Sequence, residues 1–241
     1  LIDVTALATD YDETLAEEGL VSATTFASLQ KLKESHRKLI LVSGRQLPDL
    51  KQIFPQLGIF DRVVAENGAV LHDPTTEEQR LLAPAPPPAF VESLRKRGVD
   101  PLLVGRSVIG TLVPNELIVL DEIRRQGLEL EIIFNKGAVM VLPSGINKAT
   151  GLMAALDDLG LPVDGVVAIG DAENDHHFLR RAGFGAAVAN ALPSLKKTAD
   201  RVTLAPMGDG VAEIIDDILR GDIAIADASK NDVAIGKMAR G

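Results

Sequence analysis

The chain has 241 residues, 46% hydrophobic but only 3% aromatic, with no Trp, no Cys and a formal net charge of −9. Apolar mass that is almost wholly aliphatic favours a buried parallel sheet covered by helices, and so few rings argue against a stacking surface for single-stranded nucleic acid. The charge excludes the basic footprint of a nucleic-acid binder, the lack of Cys excludes a disulfide framework or a Cys-based zinc site, and no apolar run approaches transmembrane length.

The spacing predicts a strand over 4–9, an amphipathic helix over 22–35 with Ser22 as N-cap, and a strand over 38–42. A helix over 46–57, a strand over 62–65 and a hairpin opening after Gly68 follow. This strand–helix–strand rhythm specifies an α/β sheet. It breaks at residues 84–88, "PAPPP", a stiff extended spacer. A different rhythm then runs to Pro143: helix over 89–97, strand over 102–111, helix over 115–126, and two strands around the turn Asn135-Lys136-Gly137.

The first rhythm returns at Asn147. A helix to Leu159, strands over 165–170 and 184–189, a short helix over 175–182, a last strand at "RVTLA" and a helix over 210–220 are expected. The expected fold is therefore a doubly wound, mainly parallel core built from 1–74 and 144–220, with an inserted α+β unit over 75–143. Residues 221–241 are less periodic and read as a tail or linker. The chain opens on Leu1 rather than Met, so processing, or a fusion to a further domain beyond the C-terminus, is also an expectation. The first residues lack a basic segment followed by an apolar core, which makes the cytoplasm the default location.

Polar residues gather where the core strands end. "LATDYDET" supplies Asp10 and Asp12, "SGR" supplies Ser43, Gly44 and Arg45, and "GDAEND" supplies Asp171, Asn174 and Asp175. Lys148 opens the helix before the strand that leads to Asp171. Ligands of open α/β sheets bind at the carboxyl ends of the strands, so these distant pieces can converge. Asp10, Asp12, Asp171 and Asp175 are hard oxygen donors suited to Mg²⁺. The Ser43 hydroxyl, the amides opening the helix after it, and the Lys148 charge suit an anion. A cation, an anion pocket and a carboxylate nucleophile together make a phosphoryl-transfer site.

These motifs, in this order, resemble the haloacid dehalogenase (HAD) superfamily, and the place of the insertion resembles its Cof-type or IIB branch. "AENGA" at 65–69, "VANALPSLKKTAD" at 188–200 and "GDGVAEII" at 208–215 add to the resemblance, which spans 4–220. The resemblance implies a Rossmann-like core with a cap domain, and an Asp10 nucleophile that becomes an aspartyl-phosphate. It implies Asp12 as general acid and then base. Mg²⁺ would be held by the Asp10 carboxylate, the Asp12 carbonyl and Asp171, with Asp175 in support. Ser43, Gly44 and Lys148 would bind phosphate; Arg45, Asn67 and Asn174 would lie on the substrate side. Small phosphorylated metabolites, either sugar phosphates or phosphoglycolate-like acids, are the implied substrates, with neither nucleic acid nor membrane as partner.

Taken singly, each motif has an ordinary explanation. "DYDET" alone is a turn, and it is no EF-hand loop, because Leu15 and Val21 stand where Gly and Glu are required. His176 and His177 are adjacent on a helix and diverge. A phosphate-sensing regulatory HAD domain and a phosphomutase share the same motifs and stay open at this point. A response-regulator receiver is about half the length, lacks the insertion, and carries its acceptor Asp after a later strand.

Overall fold

The computed structural model describes residues 2–225, so most of the expected tail over 221–241 lies outside the described residues. Two sheets organise the chain. The larger has eight strands in the order β12-β11-β10-β1-β2-β3-β4-β5. They are β1 (Ala6–Thr9), β2 (Lys38–Val42), β3 (Arg62–Ala65), β4 (Val70–His72), β5 (Gln79–Leu81), β10 (Val166–Gly170), β11 (Phe184–Ala187) and β12 (Arg201–Val202). Strands β12 to β3 are parallel, and β3, β4 and β5 are antiparallel. All residues of β1 and β10 are buried, as a central strand covered on both faces requires.

Helices α1 (Ala23–Glu34) and α8 (Met207–Arg220) pack together, as do α5 (Lys148–Leu159) and α6 (His176–Arg181). The β1–α1–β2 and β10–α6–β11 crossovers run in opposite directions along the sheet, and right-handedness puts these two pairs on opposite faces. The reversal occurs between β1 and β10, and Asp10 stands at that switch point. Ser22 caps α1 by accepting the Thr25 amide at 3.1 Å. Asn147 and Thr150 form a reciprocal capping box at α5, with Asn147 Oδ1 accepting the Thr150 amide at 3.1 Å and Thr150 Oγ1 the Asn147 amide at 3.0 Å. That start turns Lys148, the first residue of α5, into the interior, where it is 1% exposed.

The second sheet is antiparallel, ordered β6-β7-β9-β8: β6 (Leu103–Val104), β7 (Ile109–Leu112), β8 (Leu130–Asn135) and β9 (Ala138–Pro143). Helices α3 (Pro88–Lys96) and α4 (Glu116–Gln126) cover one face through Phe90, Leu94, Val119 and Ile123 against Ile109 and Val141. A smaller cluster of Ala69, Ala83, Val108, Met140 and Leu142 joins this sheet to the larger one.

Several expected elements differ in detail. The helix read over 46–57 is α2 (Leu47–Ile53), which stops before Phe54-Pro55 because a residue preceding proline is driven out of the helical region. The strand read over 102–111 is instead the hairpin β6–β7, turning at residues 105–108 with the Gly105 amide donating to the Val108 carbonyl at 2.8 Å. Strand β5 pairs with β4, so the chain leaves the larger sheet after Leu81 rather than at 75. No helix among the described residues is long and apolar enough to cross a membrane.

One close approach sets where α5 can lie. Gly68 has φ 111°, and a Cβ there would collide with the Asn147 carbonyl, next to Lys148. Gly68→Ala is therefore expected to lower unfolding stability by about 2 kcal/mol or more. Denaturant unfolding checks this, and a loss below about 0.5 kcal/mol would mean that the loop and α5 separate freely.

Candidate active site

Asp10 follows the last residue of β1, and its amide donates to the Ile169 carbonyl of β10 at 3.0 Å. It is 5% exposed. Lys148 Nζ donates to Asp10 Oδ1 at 2.7 Å and to Asp175 Oδ1 at 2.6 Å, so one buried ammonium bridges two carboxylates from different loops. The other Asp175 oxygen accepts the amides of Asp171 and Ala172 at 2.9 and 3.0 Å. Asp175 thus shapes the "GDAEND" loop and fixes the lysine. Thr14 Oγ1 lies 3.4 Å from Asp10 Oδ2 and 3.0 Å from Asp171 Oδ1.

The electrostatics follow from burial. Desolvation pushes the Asp10 carboxyl well above the ordinary range; Lys148 opposes this, and Asp175 and Asp171 reinforce it. Burial likewise raises Asp171, against the pull of Lys136. Burial alone would lower Lys148, but the charges of Asp10 and Asp175 outweigh it and hold its pKa above the ordinary lysine value.

Whether these residues fit a metal is a question of donors. One carboxylate oxygen from each of Asp10, Asp171 and Asp175 lies within 4.8 Å of the other two. All three are buried, and the set is all oxygen, which fits a hard divalent cation. Asp175 already gives both oxygens to Lys148 and the loop amides, and Asp171 has Thr14 on one oxygen and Lys136 on the other. That leaves Asp10 Oδ2, with only the 3.4 Å Thr14 contact, as the freest donor; a cation would take the place of Lys136 at Asp171.

Asp12 lies outside this carboxylate cluster but lines the cavity above it, with its carboxylate gripped by Arg45 through Nε at 2.8 and 2.9 Å and Nη2 at 2.7 Å. Ser43 is fully buried, and its hydroxyl accepts the Arg45 amide at 3.1 Å. Because α2 begins at Leu47, the amides after Ser43 belong to a loop rather than to the first turn of a helix, contrary to the sequence reading. Asn174 Nδ2 donates to Asn67 Oδ1 at 3.0 Å. Among the described residues, the side-chain atoms Asn67 Nδ2 and Asn174 Oδ1 are buried without partners.

Above the carboxylates lies a cavity of about 380 Å³, walled by Asp10, Asp12, Gly44 and Arg45 on one side and by Leu103, Val108, Thr111, Leu112 and Met140 of the second sheet on the other. Three contributors escaped the sequence reading. Lys136, at the tip of the β8–β9 hairpin, pairs with Asp171; its residue was visible only as part of a turn. Thr14 has no motif beyond its offset from Asp10. Glu66 sits in the quoted "AENGA" beside Asn67, yet only the asparagine was singled out.

The chain matches the family model of haloacid dehalogenase-like hydrolases over residues 7–115 and 119–215. The phosphoglycolate phosphatase of Methanothermobacter thermautotrophicus is 32% identical over 220 residues, covering 87% of this chain and 96% of its own. A solved structure from Thermoplasma acidophilum aligns over 90% of this chain and 98% of its own at TM-score 0.77 and 20% identity. A HAD subclass IIB sugar phosphatase aligns over 88% and 98% at TM-score 0.74 and 21% identity. The chain belongs to the haloacid dehalogenase superfamily, with the fold of its IIB branch, and is a phosphatase acting on phosphate monoesters.

Proposed function

We propose that the chain hydrolyses small phosphorylated metabolites through a phosphoryl group carried on Asp10, with Mg²⁺ as cofactor. The observation that carries this reading is Asp10 itself: a buried carboxylate at a strand end, 2.7 Å from the Lys148 ammonium, on the floor of a cavity large enough for a small ester. Asp10 Oδ attacks phosphorus as the ester P–O bond breaks, and Asp12 gives its proton to the departing oxygen. Water then attacks the acyl phosphate and yields a proton to Asp12, which frees inorganic phosphate and restores Asp10.

Lys148 steadies the nucleophile and the charge that builds on the phosphoryl oxygens. Ser43, Gly44 and the unpaired Asn67 side-chain Nδ2 offer donors to the same oxygens, and Asn174 orients Asn67. Arg45 holds Asp12 toward the cavity. Asp10 and Asp171 would hold the cation, with the Asp12 carbonyl, and Asp175 would support the site from behind. Bound there, Mg²⁺ would offset the charge of the phosphoryl oxygens.

Residues 82–143 act as the cap, walling off the leaving group from water. The cavity suits a metabolite rather than a phosphoprotein or a DNA end. The relative from Methanothermobacter is named a phosphoglycolate phosphatase, and phosphoglycolate-like acids or sugar phosphates are the substrates we favour.

Asp10→Asn removes the attacking charge and keeps the shape. Phosphate release is expected to fall by about three orders of magnitude or more; near-normal release by a variant with the asparagine verified by mass would contradict the assignment. Excess chelator is expected to abolish activity and Mg²⁺ to restore it. In calorimetry, Mg²⁺ is expected to raise the unfolding temperature of wild type and to raise that of Asp171→Asn much less. An equal rise in both would place the cation elsewhere.

A further inference from the structure

Glu66 has no part in the chemistry above, yet its surroundings are unusual. It follows β3 in the larger sheet and is 2% exposed. Its carboxylate accepts three backbone amides from the second sheet's β6–β7 turn: Arg106 at 2.9 Å, Ser107 at 2.9 Å and Val108 at 3.1 Å. A carboxylate bound by several N–H groups away from water makes strong, directional hydrogen bonds. It also satisfies turn amides that would otherwise be left unpaired. The turn is shaped to receive it, because a Cβ on Gly105 would stand 2.6 Å from Glu66 Oε2.

The backbone on the core side is strained to the same end. Glu66 and Asn67 both lie in the left-handed region, at φ 49° and 57°. Non-glycine residues hold such angles only where the surroundings compel them. The Glu66 amide donates to the Arg45 carbonyl at 2.9 Å, and the Asn67 amide to the Ser43 carbonyl at 2.9 Å. The segment that grips the turn is therefore hydrogen-bonded, residue by residue, to the loop proposed to bind phosphate. On the far side of the turn, Val108 lines the cavity.

We infer that Glu66 is a positioning residue that latches the cap's β6–β7 turn to the phosphate-binding loop, and that this latch sets how the enzyme discriminates among leaving groups. The cap wall touches the leaving group and not the phosphoryl group. A loosened latch therefore penalises esters whose leaving group is held by that wall. An activated aryl phosphate, which needs little help to depart, is penalised less. The inference rests on the phosphatase reading of the site for its second half only.

The test uses the whole chain and three variants. Glu66→Gln keeps one acceptor oxygen, Glu66→Ala keeps none, and Gly105→Ala leaves Glu66 in place but pushes on its carboxylate from the cap side. Amide exchange followed by NMR reads the latch without any substrate. Exchange at Arg106, Ser107 and Val108 is expected to speed up by about tenfold or more in Glu66→Ala and Gly105→Ala, and by less in Glu66→Gln, while β10 amides keep their protection. In the same variants, the ratio of kcat/KM for phosphoglycolate, or for a sugar phosphate if wild type prefers one, to that for p-nitrophenyl phosphate is expected to fall by about tenfold, chiefly through KM. Unchanged protection at the three amides would overturn the latch. Lost protection with an unchanged ratio would overturn its role in specificity. Wild type inert toward every ester would instead sink the phosphatase reading, and the exchange result would still decide the latch.

Discussion

The ammonium of Lys148 is the interaction on which the site depends. Three acidic side chains from the ends of β1 and β10 come close enough to repel strongly, and burial makes that repulsion costlier. Lys148 sits between two of them at 2.7 and 2.6 Å and removes much of the cost. It can do so only because it is the first residue of α5, aimed inward by a capping box, on a helix brought close to the core where Gly68 admits the Asn147 carbonyl. The fold's contribution to chemistry is thus a placement: a strand end, a helix start and a loop meet at the topological switch point.

Burial raises the Asp10 pKa, and the Lys148 ammonium opposes that rise and favours the charged, nucleophilic form. Asp10 is held by one strong cation and one weak hydroxyl contact. Its remaining capacity faces the cavity rather than protein donors. Asp175, two oxygens fully engaged, shows the contrasting case in the same loop cluster. Similar side chains a few ångströms apart thereby take different parts, one open for reaction and one fixed as support.

Much of this was legible in the sequence. Asp10, Ser43, Lys148 and Asp171 are placed by motif order and by strand ends, and both are local signals. What the sequence did not disclose is the contact between the two sheets. Glu66 meets residues 106–108 across some forty positions, and Lys136 meets Asp171 across 35. Neither pairing leaves a periodic trace. The β6–β7 turn was hidden for a related reason: "LLVGRSVIGT" is apolar enough to read as one strand, and the carboxylate that takes up the amides of its turn lies some forty positions away. Strand β5 was missed because its three residues, Gln79–Leu81, are all exposed and carry no alternation.

The central claim is that Asp10, poised by Lys148, carries the phosphoryl group. Enzyme quenched in acid during turnover and treated with hydroxylamine converts an acyl phosphate to a hydroxamate, which peptide mass mapping locates. The account predicts the hydroxamate at Asp10 and at no other residue. A label on Asp12 or any other side chain, with Asp10 unmodified, would contradict it.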